Sequence, residues 1–214
     1  MGIGSGDIAW VDLSAGNQQI QQLINESESA VAEYIRSEIV AVGKKIGAGG
    51  YRENRLWYQR SALFGATADL VPDDEKRCIH LGIDFWADAG TSIHLPLDGE
   101  VWTAVNNAKY LDYGPTLIFK HHIEEITFFS LFGHLSKTSL SVHPTGTKVE
   151  AGALIASLGV EAENGGWPPH LHYQIIFDLS DRSGDYPGVC TRKNEEFFSV
   201  NCPDPLPFSG LGRE

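Results

Sequence analysis

One stretch near the end of the chain concentrates residue types that do chemistry: "NGGWPPHLHYQIIF", residues 164–177. Imidazole fills a core poorly, but it is the commonest metal ligand and the commonest general base. On a strand, alternate side chains share a face. His170 and His172 therefore point one way, and Leu171 points the other way into the core. Pro168 and Pro169 lack an N–H donor and suit the start or edge of a strand.

A second candidate is "IHLGIDFW", residues 79–86, in which His80 and Asp84 are four apart. Zinc ligand atoms sit about 2 Å from the ion. A straight strand would hold the two Cα atoms about 13 Å apart. The chain must bend between them, and Gly82 can take that bend. A third is "LFGHLS", where His134 follows an apolar run and a glycine at the end of a buried strand.

Together these segments offer His80, Asp84, His134, His170 and His172. A catalytic zinc site wants three protein ligands and an open position for water, and two histidines with one carboxylate satisfy that. Hydrolysis also needs a base for the water and donors for the developing oxyanion, which the two remaining histidines could supply. Spacing alone leaves open which of His170 and His172 binds metal. His94, His121, His122 and His143 read as structural or surface residues.

These segments need strands to carry them. Residues 17–44 predict one amphipathic helix, with Ile20, Leu23, Ile24, Val31, Ile35, Ile39 and Val42 at three- and four-residue steps. Residues 1–50 are thus expected to form an N-terminal helical arm, removable without loss of the rest. From Tyr51 to Phe177 the chain reads as short strands broken by Gly, Pro, Asn or Asp: "HLGIDFWA", "GEVWTAV", "TLIFKHHI", "ITFFSLFGHL", "TKVEAGALIASLG" and "HLHYQIIF". This pattern predicts a mainly β sandwich or barrel over 51–180. Residues 181–214 predict a loop-rich extension packing on that core.

The chain has 214 residues, 42% hydrophobic and 21% charged, which suits one globular domain with an appendage rather than a disordered chain. Its net charge of -12 argues against nucleic acid as a partner, since phosphate contacts need a basic surface. No apolar run approaches the roughly 20 residues that span a bilayer, so no membrane partner is expected. "MGIGSGDIAWVDLSAGN" shows no basic segment leading into an apolar one, and a cytoplasmic location is the expectation. Cys78, Cys190 and Cys202 are odd in number and form no CxxC, which fits a reducing compartment and inert or surface thiols.

In these motifs the sequence resembles peptidase family M23, the zinc metallopeptidases of the lysostaphin and LytM type. Its HxxxD motif matches His80 and Asp84, its HxH motif matches His170 and His172, and its intervening histidine matches His134. "PLDGEVWTA", "DYGPTLIFKH" and "GTKVEAGALIASLG" add to the likeness, the last looking like the family's hairpin with glycines at both turns. The resemblance spans about residues 75–178. It implies a compact antiparallel core of the duplicated-hybrid or barrel-sandwich type and one zinc ion per chain on His80, Asp84 and His172. By the same resemblance, His134 and His170 are the catalytic partners of the water. It implies an endopeptidase acting on a peptide or peptidoglycan-like substrate. The chain differs from most of the family in showing no export signal and no cell-wall-binding module. "NRLWYQRSALFGATADL" and the tail resemble a subgroup associated with an aminotransferase-like partner domain. Two other classes remain open: a non-catalytic M23-like binding or scaffold module, and a histidine phosphocarrier of similar β core. A biotin- or lipoyl-carrier fails for want of a lysine at the turn.

Overall fold

A computed structural model describes residues 5–60, 62–64, 72 and 74–210. Part of the aromatic stretch before His80 lies outside them. In chain order the elements are β1 (Ile8–Trp10), α1 (Gln18–Glu26), α2 (Glu28–Ala41), β2 (Ile46–Gly49), β3 (Arg77–His80), β4 (Ile83–Trp86) and β5 (Ser92–His94). Then come β6 (Gly99–Asn107), β7 (Gly114–Ile123), β8 (Ile126–Gly133), β9 (Lys148–Val149), β10 (Leu154–Ser157), β11 (His170–Ile176), β12 (Val189–Thr191) and α3 (Glu195–Asn201).

Eight strands make one sheet in the order β1-β2-β4-β11-β8-β7-β6-β9. Every pairing in it is antiparallel except β1 with β2. The molecule is mainly β, as the strand-turn pattern predicts. The described order is open, with β1 and β9 at its two edges. The expected "TKVEAGALIASLG" hairpin is split: β9 pairs with β6 while β10 pairs with β5 in a separate ribbon.

Alternation along the strands sorts side chains onto two faces. Leu117, Phe119, Phe128, Phe132, Tyr173 and Ile175 join one buried cluster. Ile118, Leu131 and Ile176 join another, with Cys78, Leu179, Tyr186, Cys190 and Cys202. The C-terminal extension therefore covers the face that carries His170 and His172. It does so with β12, paired to β3, and α3, and not with loops alone. All three cysteines are buried, so none is a surface thiol.

The single helix expected over 17–44 is two helices. Ser27 is extended (φ -167). Its N–H donates to the Leu23 carbonyl, closing α1, and its hydroxyl accepts from Ala30 N at 3.1 Å, opening α2. One serine thus serves both ends. Asn17 caps α1, accepting from Gln19 N at 3.0 Å and donating to the Tyr34 hydroxyl at 3.0 Å. α2 ends in a Schellman turn on left-handed Gly43, where Lys44 N reaches the Ile39 carbonyl and Gly43 N reaches that of Val40.

Nor are the first 50 residues helical throughout. β1 and β2 extend the main sheet, and Gly49 lies opposite Asp84. Ile20, Val31, Ile35 and Ile39 are buried in one cluster with Trp57, Tyr58 and Trp167. Each such side chain contributes about 1.5–3 kcal/mol when buried, so the helices are docked rather than free.

Candidate metal centre

β3 and β4 belong to different sheets, and Leu81 and Gly82 lie at the break between them. This is the bend that the four-residue spacing of His80 and Asp84 requires. Gly82 is needed there for a further reason. A Cβ on it would stand 2.6 Å from Cε1 of His172, so its missing side chain is the room that His172 occupies.

The sheet register does the remaining positioning. His172 on β11 lies directly opposite Asp84 on β4 and Gly133 on β8. Opposed residues of an antiparallel pair share a face, with Cβ atoms about 4.5–5.5 Å apart. His134 follows Gly133 immediately and takes a left-handed backbone (φ 63) that few non-glycine residues adopt. Its N–H bonds the Tyr113 carbonyl and its own carbonyl accepts from Gly159 N. Thus His80, Asp84, His134, His170 and His172 meet in one place, each 5% exposed or less. His94 and His122 are exposed, and His143 is half-buried, bonded to the Leu154 carbonyl. His121 is buried elsewhere, between the Asp98 carbonyl and the Ser130 hydroxyl.

Within the five, two groups separate. His80 Nε2, His172 Nδ1 and Asp84 Oδ1 stand 2.9, 3.3 and 3.4 Å from one another. Tetrahedral ligands on bonds of about 2.0–2.1 Å stand about 3.3 Å apart, so the three atoms fit a zinc-sized ion. His170 Nε2 is 3.8 Å from Asp84 Oδ1, and its ring packs on that of His134 with centroids 4.2 Å apart.

The hydrogen bonds behind the rings test the fit independently. His80 Nδ1 is 2.8 Å from the Gly50 carbonyl, which can only accept. His172 Nε2 is 2.9 Å from Gln174 Oε1. The Gln174 amide is fixed in that sense because its nitrogen donates to the Pro187 carbonyl at 3.1 Å and to Cys202 Sγ. A neutral imidazole has one N–H, and both rings spend it outward. Their remaining lone pairs, together with a carboxylate oxygen, converge on one point. Such a donor set suits a cation, and outward bonds of this kind orient metal-binding histidines.

Burial lowers the His80 imidazole to about 4. Burial also lowers His170, and it holds His134 well below its ordinary value, with His170 adding to the effect. Those rings are therefore neutral at pH 7. Burial alone would raise Asp84, but neighbouring His80, then Arg55 and His170, outweigh it and hold the carboxyl well below the usual range. The outward bonds of the other two rings match those of the first pair: His134 Nδ1 on the Asn164 carbonyl at 2.8 Å and His170 Nδ1 on the Pro168 carbonyl at 2.7 Å. Their Nε2 atoms are left as acceptors.

Four supporting residues escaped the sequence reading. Arg55 donates to Asp84 Oδ2 at 2.5 Å. Glu53 pairs with Arg55 at 2.6 Å. Gln174 orients His172. Asn164, fully buried, closes the 164–167 turn by accepting from Gly166 and Trp167. Gln174 did carry a signal, being two residues beyond His172 on the same strand face.

A cavity of about 230 Å³ opens on the five residues, bordered by Tyr58, Lys109, Trp167, Arg182 and Tyr186. No helix among the described residues is long and apolar enough to cross a membrane.

The family model described as peptidase family M23 matches residues 78–183. Among solved structures, the chain is similar to lysostaphin in solution at 22% identity, covering 64% of this chain and 46% of that one, with a TM-score of 0.41. It is similar to LytU at 25% identity, covering 66% and 76%, with a TM-score of 0.41. It is also similar to a mutant catalytic domain of the prophage-encoded M23 protein EnpA from Enterococcus faecalis, at 21% identity, covering 51% and 76%, with a TM-score of 0.38. The chain thus spans less than half the length of the lysostaphin chain it matches. No curated protein matches. The matched segment begins two residues before His80 and runs past Gln174, enclosing the five polar residues and the strands that position them, and through it this chain carries a domain of peptidase family M23.

Proposed function

We propose that the protein is a zinc-dependent peptidase binding one zinc ion per chain through His80, Asp84 and His172. The observation that carries this is the convergence of two imidazole lone pairs and a carboxylate oxygen, with both tautomers set from behind. A zinc ion held there would acidify a coordinated water and polarise a scissile carbonyl. His134 and His170, neutral and with Nδ1–H spent on backbone carbonyls, offer Nε2 to take a proton from the attacking water. The same nitrogen can return it to the leaving amine. Once protonated, the pair would also steady a developing oxyanion. The walls of the cavity carry the aromatic rings of Tyr58, Trp167 and Tyr186 beside the charged Lys109 and Arg182. The substrate proposed is a peptide or peptidoglycan-like chain, which rests on the family alone.

Metal analysis of the purified protein tests the first half. Stoichiometric zinc is expected, and it should be lost in a His80→Ala/Asp84→Ala double variant. Zinc retained in that variant defeats the assignment. A peptide panel including Gly-Gly and D-amino-acid cross-links, with and without chelator, tests the second half. A non-catalytic M23-like module is the second reading. Metal bound with no cleavage across the panel would support that reading.

A further inference from the structure

Residues 1–50 read in sequence as an arm apart from the site, yet the segment that follows them reaches its centre. Residues 52–55 run antiparallel to β3. Arg52 N bonds the His80 carbonyl, His80 N bonds that of Glu53, and Arg55 N bonds that of Cys78. Along such a run alternate side chains share a face, so Glu53 and Arg55 project together. Arg55 reaches the carboxylate opposite His172, and Glu53 reaches Arg55. Glu53 Oε2 accepts from Arg55 Nε at 2.6 Å, and Arg55 Nη1 donates to Asp84 Oδ2 at 2.5 Å. Arg55 is 3% exposed and Asp84 is 2% exposed.

This divides the two oxygens of Asp84. Oδ2 is held by the guanidinium, and Oδ1 alone faces His80, His172 and His170. The guanidinium is held through Nε and Nη1, while its Nη2 is buried with no hydrogen-bond partner among the described residues. Tyr58 accepts from Nη1, and the ring of Trp86 lies 5.7 Å from the guanidinium carbon. Its Nη2 lies where a Cβ of residue 50 would stand, so a side chain there would collide with it. Gly50, with φ 103, leaves that space open. Glu53 is anchored in turn, since its Oε1 accepts from Leu13 N at 2.9 Å. A continuous series of bonds therefore joins the segment between β1 and α1 to the carboxylate: Leu13, Glu53, Arg55, Asp84.

We propose that Arg55, held by Glu53, is a positioning residue that restricts Asp84 to one metal-facing oxygen, making the N-terminal segment part of the metal centre. The inference rests on the reading of His80, Asp84 and His172 as metal ligands. A guanidinium suits the task because its planar fork can hold Glu53 and Asp84 at once, whereas an ammonium is a point charge on a flexible stem. With Arg55 in place, a carboxylate that could chelate through two oxygens offers one, which keeps a position free for water.

The test uses the full chain loaded with Co2+, its visible d–d absorption read at a metal content measured separately. Wild type should give the intense bands of a four-coordinate ion, and Asp84→Ala should lose them. If wild type takes up no stoichiometric Co2+, or Asp84→Ala keeps its spectrum, the ligand assignment itself fails. With that assignment secure, Arg55→Met frees Oδ2 to join the ion, and the bands weaken severalfold at full occupancy. Glu53→Gln/Arg55→Met removes both charges together and serves if the single variant does not fold. It should give the same weakening. Arg55→Lys should fall between wild type and Arg55→Met. Folded, fully loaded variants with the wild-type spectrum would overturn the proposal.

Discussion

Gln174 offers the sharpest quantitative test of the centre. In Gln174→Met the acceptor for His172 Nε2–H disappears. The ring must then leave a buried N–H unpartnered or move the proton to Nδ1, where it removes the lone pair aimed at the metal. Loss of such an outer partner typically weakens metal binding about 10–100-fold, which is about 1.4–2.7 kcal/mol. A second effect is separable from the first. Gln174 also donates to the buried Pro187 carbonyl, and an orphaned buried acceptor costs about 1–3 kcal/mol of stability. Gln174→Glu divides the two effects: it keeps an oxygen for His172 but sets the other against Pro187. Zinc affinity, measured by competition with a chromophoric chelator at fixed pH, should fall in Gln174→Met and hold or rise in Gln174→Glu. Denaturant unfolding of the zinc-free protein should show both variants less stable than wild type. An unchanged zinc affinity in folded Gln174→Met would refute the argument that the outward bond selects the metal-binding nitrogen.

His134→Ala and His170→Ala should keep zinc while hydrolysis falls about 10²–10⁴-fold; loss of bound zinc in either would move that residue among the ligands. Burial lowers His121 from its ordinary value of 6.5, so below that pH the unfolded chain binds a proton that the folded chain refuses. The stability it contributes is complete above 6.5 and is lost as pH falls below it. Unfolding titrations from neutral to mildly acidic pH should show a steeper decline for wild type than for His121→Gln, and equal slopes would count against this. Asn17→Ala should cost about 1 kcal/mol through loss of the α1 cap; unchanged denaturant stability would show the cap to be idle.

The parts of the site legible in the sequence are those set by local geometry. Strand alternation puts His170 and His172 on one face, and four residues with a glycine between them require a bend from His80 to Asp84. The intervals without apolar residues are informative too. Nothing apolar but alanine separates Ile24 from Val31, and α1 gives way to α2 there, at Ser27. What stayed hidden depends on long-range packing. Arg55 lies in "YRENRLWYQR", where nothing local marks this arginine apart from Arg52 and Arg60. Its burial follows from Asp84, 29 residues away, and from Trp86 beside it. Docking of the N-terminal segment was hidden likewise, because β1 and β2 are three and four residues long and too short for a period to show. Asn164 reads as an ordinary turn residue until the His134 ring is found on its carbonyl.

His134 sits where the backbone favours a different residue. Its left-handed conformation costs a residue with a Cβ on the order of 1–2 kcal/mol, a cost that glycine avoids. The residue this turn would select for stability is one that cannot hold a proton. On the mechanism proposed above, the demands of backbone and chemistry therefore oppose each other at this one residue. Glycine there would relieve the backbone cost, but it would also empty a buried space and leave the Asn164 carbonyl without its imidazole donor.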